Sequence, residues 1–116
     1  MFTRILILCL CFSLTACGSM AKNGAQSRAF NNYQEGEYQD TIDIVERALR
    51  SYEYSDEDKA RLLYLKALSY DRLGDSKTAF VTLTYIVFKF PETEFGFRAN
   101  AEIKTLELSN SQGTEI

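Results

Sequence analysis

Two five-residue stretches, Gln34-Glu35-Gly36-Glu37-Tyr38 and Arg72-Leu73-Gly74-Asp75-Ser76, constrain this chain more than anything else in it. Each sets a glycine and an acid between segments whose apolar residues recur at steps of three and four, and the two glycines stand 38 positions apart. Helical periodicity on both sides of a glycine stop reads as a helix–turn–helix, and its recurrence reads as a repeat. Downstream, Tyr38, Thr41, Val45 and Ala48 are matched in order by Ser76, Ala79, Leu83 and Ile86. Pro91, the sole proline, closes the second copy because it cannot continue a helical hydrogen-bond ladder.

The individual helices can be placed from their faces and caps. Tyr38, Thr41, Ile42, Val45, Ala48, Leu49 and Tyr52 make one apolar stripe. Asp40, Asp43, Glu46, Arg47 and Arg50 make the opposite, solvated one, with Asp43–Arg47 and Glu46–Arg50 at ion-pair spacing. Ser55 ahead of Asp56, Glu57 and Asp58 predicts a capped helix start, which explains the acidic cluster without a calcium loop. That helix is expected to run through Ala60, Leu63, Tyr64, Ala67, Leu68 and Leu73 and to stop at Gly74. Asp75 can cap the next, with Ala79, Phe80, Leu83, Ile86, Val87 and Phe90 facing inward. Thr93 can cap a last helix carrying Phe95, Ala99, Ile103 and Leu106. The expected fold is all-α, with five antiparallel helices over residues 26–108: two helix pairs and an extra C-terminal helix. Residues 17–25 read as a polar tether and 109–116 as a disordered tail, since both hold little apolar surface to bury.

The N-terminus carries a separate message. Arg4 precedes an apolar run from Ile5 to Leu14, too short for the ~20 residues a membrane-spanning helix needs. A basic start, a short apolar run and small residues after it are the pattern of a signal peptide, here residues 1–16. Leu14-Thr15-Ala16-Cys17 resembles the lipobox of bacterial lipoproteins, which implies cleavage before Cys17 and acylation of its thiol with chains such as palmitate. No aspartate follows the cysteine, which in that family implies an outer-membrane address facing the periplasm. Each buried methylene of an acyl chain contributes about 0.8 kcal/mol, so such an anchor needs no help from the protein surface.

Composition narrows function. Loss of residues 1–16 would remove Cys9 and Cys11 and leave 12 basic and 16 acidic side chains, a net charge of −4. Without a basic stripe, nucleic acid is not an expected partner. The chain has no histidine, so the usual general base is missing, and with Cys17 acylated no free thiol would remain. No glycine-rich phosphate loop and no metal-ligand spacing occur either. A non-enzyme with no cofactor beyond the lipid is therefore expected. A carboxylate hydrolase, motivated only by the 16 acids, is the weakest alternative.

The paired turns, the small residues Ala67 and Ala79 and the closing Pro91 resemble the tetratricopeptide repeat. The first copy departs from that pattern with Thr41 in place of alanine, Glu53 in place of proline, and four additional residues around Tyr54 to Asp58; the family tryptophan is absent. Phe90-Pro91-Glu92-Thr93 is similar to the segment that opens a new helix in the looser repeats of small bacterial outer-membrane lipoproteins. The resemblance implies a scaffold that binds an envelope protein or peptide in a concave groove lined by the first helix of each repeat. Carried over by position, the second repeat would place Arg61, Tyr64, Leu68, Asp71 and Arg72 there, and the first repeat Gln26, Phe30, Tyr33 and Gln34. Arginine and tyrosine are favoured anchors at interfaces. The chain retains 13 aromatics beyond residue 16, and an open repeat end would expose apolar surface. A homodimer is therefore the rival expectation, with the chain a self-associating structural lipoprotein.

Overall fold

A computed structural model describes Phe2 and residues 20–113. The signal-peptide and lipidation readings, Cys17 included, fall outside the described residues, as does the end of the tail at 114–116.

Residues 20–113 form five helices and no strand. α1 covers 20–34, α2 Tyr38–Ser51, α3 Asp56–Arg72, α4 Ser76–Lys89 and α5 Glu94–Gly113. Sequential helices pack side by side, and α3 also meets α5. The fold is all-α and repeat-like.

The repeat holds down to single hydrogen bonds. In the first turn Gly36 N–H donates to the Tyr33 carbonyl and Glu37 N–H to that of Asn32; in the second, Gly74 N–H donates to Asp71 and Asp75 N–H to Tyr70. Each is a Schellman closure around a left-handed glycine, with φ of 82° at Gly36 and 89° at Gly74. α2 and α4 have 14 residues each, and both ends of α4 lie 38 positions after those of α2. α5 likewise begins 38 positions after α3. Ser55 Oγ accepts from Asp58 N–H at 3.2 Å, and Thr93 Oγ1 accepts from Gly96 N–H at 2.9 Å, again one period apart. The four residues that look additional around Tyr54 are therefore part of a regular 38-residue unit.

Two apolar clusters share α3. Ala25, Ala29, Val45, Ala48, Tyr54, Leu62 and Leu65 build the first; Ala60, Ala67, Leu83, Ile86, Phe90, Ala99 and Leu106 build the second. Because α3 is covered on two sides, its buried residues do not keep to one stripe. Leu62, Leu65 and Ser69 are buried, though the spacing had pointed to Leu63, Tyr64 and Leu68. The Ser69 hydroxyl meets the Leu65 carbonyl at 2.7 Å and that of Thr41 meets Glu37 at 2.9 Å, so neither buried oxygen lacks a partner.

Four expectations are corrected. Residues 20–25 are helical: alanines at 21, 25 and 29 favour a helix, Ala25 and Ala29 enter the first cluster, and the Lys22 carbonyl accepts the Tyr54 hydroxyl at 3.1 Å. The tail stays helical through Gly113, because nothing after Leu106 interrupts a ladder that adds one hydrogen bond per residue. Leu73 and Phe80 are exposed, Leu73 because it lies in the turn and Phe80 because α4 has no neighbour on that side. Glu46 does not pair with Arg50; it reaches Lys66 on α3 at 3.1 Å, while Asp43 accepts from Gln39. No helix among the described residues is long and apolar enough to cross a membrane.

Candidate functional site

The odd-numbered helices form one side of the molecule. α3 makes the floor of a trough, α1 and α5 make its walls, and the enclosed space is about 510 Å³. α1 contributes Gln26, Ser27, Phe30, Tyr33 and Gln34; each of the others stands three or four residues from Phe30, so they share one helix face. α3 contributes Arg61, Leu62, Leu65 and Leu68, and α5 contributes Phe95 and Arg98.

Thr93 fixes the entry of α5 and thereby the position of Phe95. Its hydroxyl donates to the Phe90 carbonyl at 2.8 Å while accepting from Gly96 N–H. The Glu57 carboxylate adds a second cap from α3, accepting Glu94 N–H at 3.1 Å. Gly96 has no alternative: a Cβ there would run into the Phe90 carbonyl. The close seating of α5 against the 90–93 turn therefore depends on a residue without a side chain.

Phe95 organises this end of the trough. The guanidinium carbons of Arg61 and Arg98 lie 5.5 and 5.1 Å from its ring centre, within cation–π range. Each arginine also holds an acid of its own helix, Arg61 with Asp58 at 3.5 Å and Arg98 with Glu94 at 2.6 Å. Both pairs are open to solvent, so they orient the guanidiniums without consuming much of their charge. The Tyr64 ring lies 5.5 Å from Phe95, and burial first, then Glu102 and Tyr33, push its phenol above the ordinary value, with Arg98 opposing. The result is an apolar trough, aromatic at both walls, with two guanidiniums at one end and two amides on the far wall.

Of the residues expected in a groove, Gln26, Phe30, Tyr33, Gln34, Arg61 and Leu68 are brought together. Tyr64, Asp71 and Arg72 are not among its lining. Tyr64 packs against the second apolar cluster. Asp71 accepts the Ser76 hydroxyl at 3.0 Å and so ties α3 to the start of α4. Arg72 is exposed in the last turn of α3. Sequence reasoning missed Phe95 and Arg98 because it treated α5 as an extra helix. The signal was present: Ser55 and Thr93 are hydroxyl caps one period apart, which marks α5 as a third first-helix.

Among the described residues no cluster of three or more His, Cys, Asp or Glu side chains could hold a metal ion. The carboxylates of Asp58 and Glu94 are engaged with the trough's arginines. What the trough presents is shape, aromatic surface and positive charge. No protein-family model matches the chain, and no curated protein or solved structure matches it.

Proposed function

We propose that this chain is a lipid-anchored scaffold of the bacterial envelope that holds a segment of a protein partner in the α1–α3–α5 trough. The observation that supports this most is the convergence of Phe30, Tyr33, Arg61, Leu68, Phe95 and Arg98, from three helices, on one concave surface. Apolar floor, flat aromatic walls and a few fixed polar groups are the make-up of sites that take up another molecule. A protein segment suits the trough because aromatic and aliphatic side chains from three helices line it together with two arginines, the kinds of group that anchor interfaces. Leu14-Thr15-Ala16-Cys17 supports the location, with acylated Cys17 holding the domain at the periplasmic face of the outer membrane. The fold repeats a helix pair, as tetratricopeptide scaffolds do, and the reading requires no bond-making step.

In-cell photo-crosslinking from position 30 tests it. The expected result is an adduct with one envelope protein, reduced at least about tenfold, or ~1.4 kcal/mol, by Arg61→Ala together with Arg98→Ala. Adducts whose pattern ignores both arginine changes would refute the trough as the binding surface. Cys17→Ser should release the chain from the membrane fraction; continued membrane association would count against the anchor.

A further inference from the structure

α4 takes no part in the trough, yet its outer face exposes four large apolar side chains. Phe88 is 84% exposed, Val81 60%, Tyr85 49% and Phe80 38%. From Thr78 to Phe88 the helix has no charged residue, and its only charges are the lysines at 77 and 89. The other helices differ: α2 turns Asp40, Asp43, Arg47 and Arg50 to solvent, and α5 turns out Arg98, Lys104 and Glu107. The Thr84 hydroxyl on this face is already engaged. Thr84 Oγ1 donates to the Phe80 carbonyl at 2.8 Å, so it presents a methyl group and needs no water.

We propose that this face is the interface of a symmetric homodimer, in which α4 packs antiparallel on α4 of a second copy. Val81, Thr84, Tyr85 and Phe88 follow one another at helical spacing, so their stripe is centred between Thr84 and Tyr85. A two-fold axis at that centre lays Val81 of each copy against Phe88 of the other, small against large. Tyr85 then meets Thr84. The same register brings Lys77 of each copy towards the turn that carries Glu92 of the other, opposite charges set together by the two-fold.

Area agrees. On the scale of ~150–250 Å² for a whole aromatic side chain, the four apolar residues leave roughly 450 Å² in water. Thr84 and the stems of the two lysines bring the face to on the order of 700 Å², close to the about 800 Å² per partner of a standard interface. A membrane surface is a poorer occupant. Interfacial helices carry cations along the polar face, whereas the side of α4 opposite this one is buried core at Ala79, Leu83 and Ile86. The dimer does not depend on the trough reading, since the two surfaces share no residue.

The test uses cells producing the full chain in two differently tagged copies, with a photo-crosslinking residue at position 81. An adduct containing both tags is expected, and Phe88→Glu should lower its yield at least about tenfold, a loss of ~1.4 kcal/mol. Lys77→Glu should weaken the adduct, and Lys77→Glu combined with Glu92→Lys should restore it. That rescue cannot come from misfolding and is specific to the antiparallel register. Adducts that never join the two tags, adducts with lipid, or a yield indifferent to Phe88→Glu would each overturn the proposal. Failure of the charge swap to restore a weakened adduct would overturn the register.

Discussion

Gly24 and Gly96 show how far one residue type can differ in meaning. Both lie inside helices, but a Cβ at Gly24 would meet open space, whereas at Gly96 it would meet the Phe90 backbone. Gly24→Ala should therefore raise stability by about 0.5–1 kcal/mol through helix propensity. Gly96→Ala should lower it by about 1–3 kcal/mol, the range for overpacking, with urea denaturation of both variants as the check. Asp75 is informative through pH. Hydrogen bonds from Thr78, side chain first and then backbone, hold its carboxyl below the ordinary value of 3.8, with Lys77 assisting against a small desolvation penalty. A depressed folded pKa means that the unfolded chain takes up the proton first as pH falls. The contribution of Asp75 is therefore complete above pH 3.8 and fades as pH drops through the lower folded value. Asp75→Asn keeps a good cap and should flatten this part of the acid-stability curve; an unchanged curve would remove Asp75 as its source.

At the scale of elements, the ends of the helix array are tied by single polar contacts. The Tyr54 hydroxyl, from the loop before α3, donates to the Lys22 carbonyl, and the Lys22 ammonium lies 4.9 Å from the Tyr54 ring centre. Tyr54→Phe keeps the ring and loses the hydrogen bond, so it should cost about 1 kcal/mol. The loss should appear as faster amide exchange confined to the first turns of α1. At the other end, Glu57 caps α5. Glu57→Ala should accelerate exchange at Glu94 and Phe95 and cost about 0.5–2 kcal/mol, the range for losing a cap. If exchange rose equally across all five helices, these contacts would belong to global rather than local stability.

The whole molecule hangs on α3. It supplies Leu62 and Leu65 to one cluster and Ala60 and Ala67 to the other, so neither cluster can open without disturbing the helix both share. A single unfolding transition is expected, with helical signal and tyrosine fluorescence changing together. Leu83→Ala, in a fully buried site, should cost about 2–5 kcal/mol and move both signals equally. Separate transitions would mean that the repeats fold as independent units.

The sequence by itself determined that there are five helices, the turns that separate them and most of their caps, but not where the first begins or the last ends. Glycines with φ near +85°, hydroxyl and carboxylate caps and a proline stop act through their own backbone neighbours, so a reader of the chain can see them. Phe30, Tyr33, Arg61 and Leu68 were marked only through the resemblance to tetratricopeptide repeats, and they fall together in the trough. Only tertiary structure decided what a helix covered on two sides would bury. Periodicity reports one face and α3 has two, so spacing alone does not single out Leu62 and Leu65, and Tyr64, which the family resemblance assigns to the groove, packs on the second cluster instead. Tertiary structure also brought Phe95 and Arg98 to Arg61 across more than thirty residues of chain, and left Phe80, Val81, Tyr85 and Phe88 exposed on α4. An apolar residue looks the same in sequence whether a helix lies against it or not, and what packs beside α4 is settled by the ends of the array rather than by α4 itself.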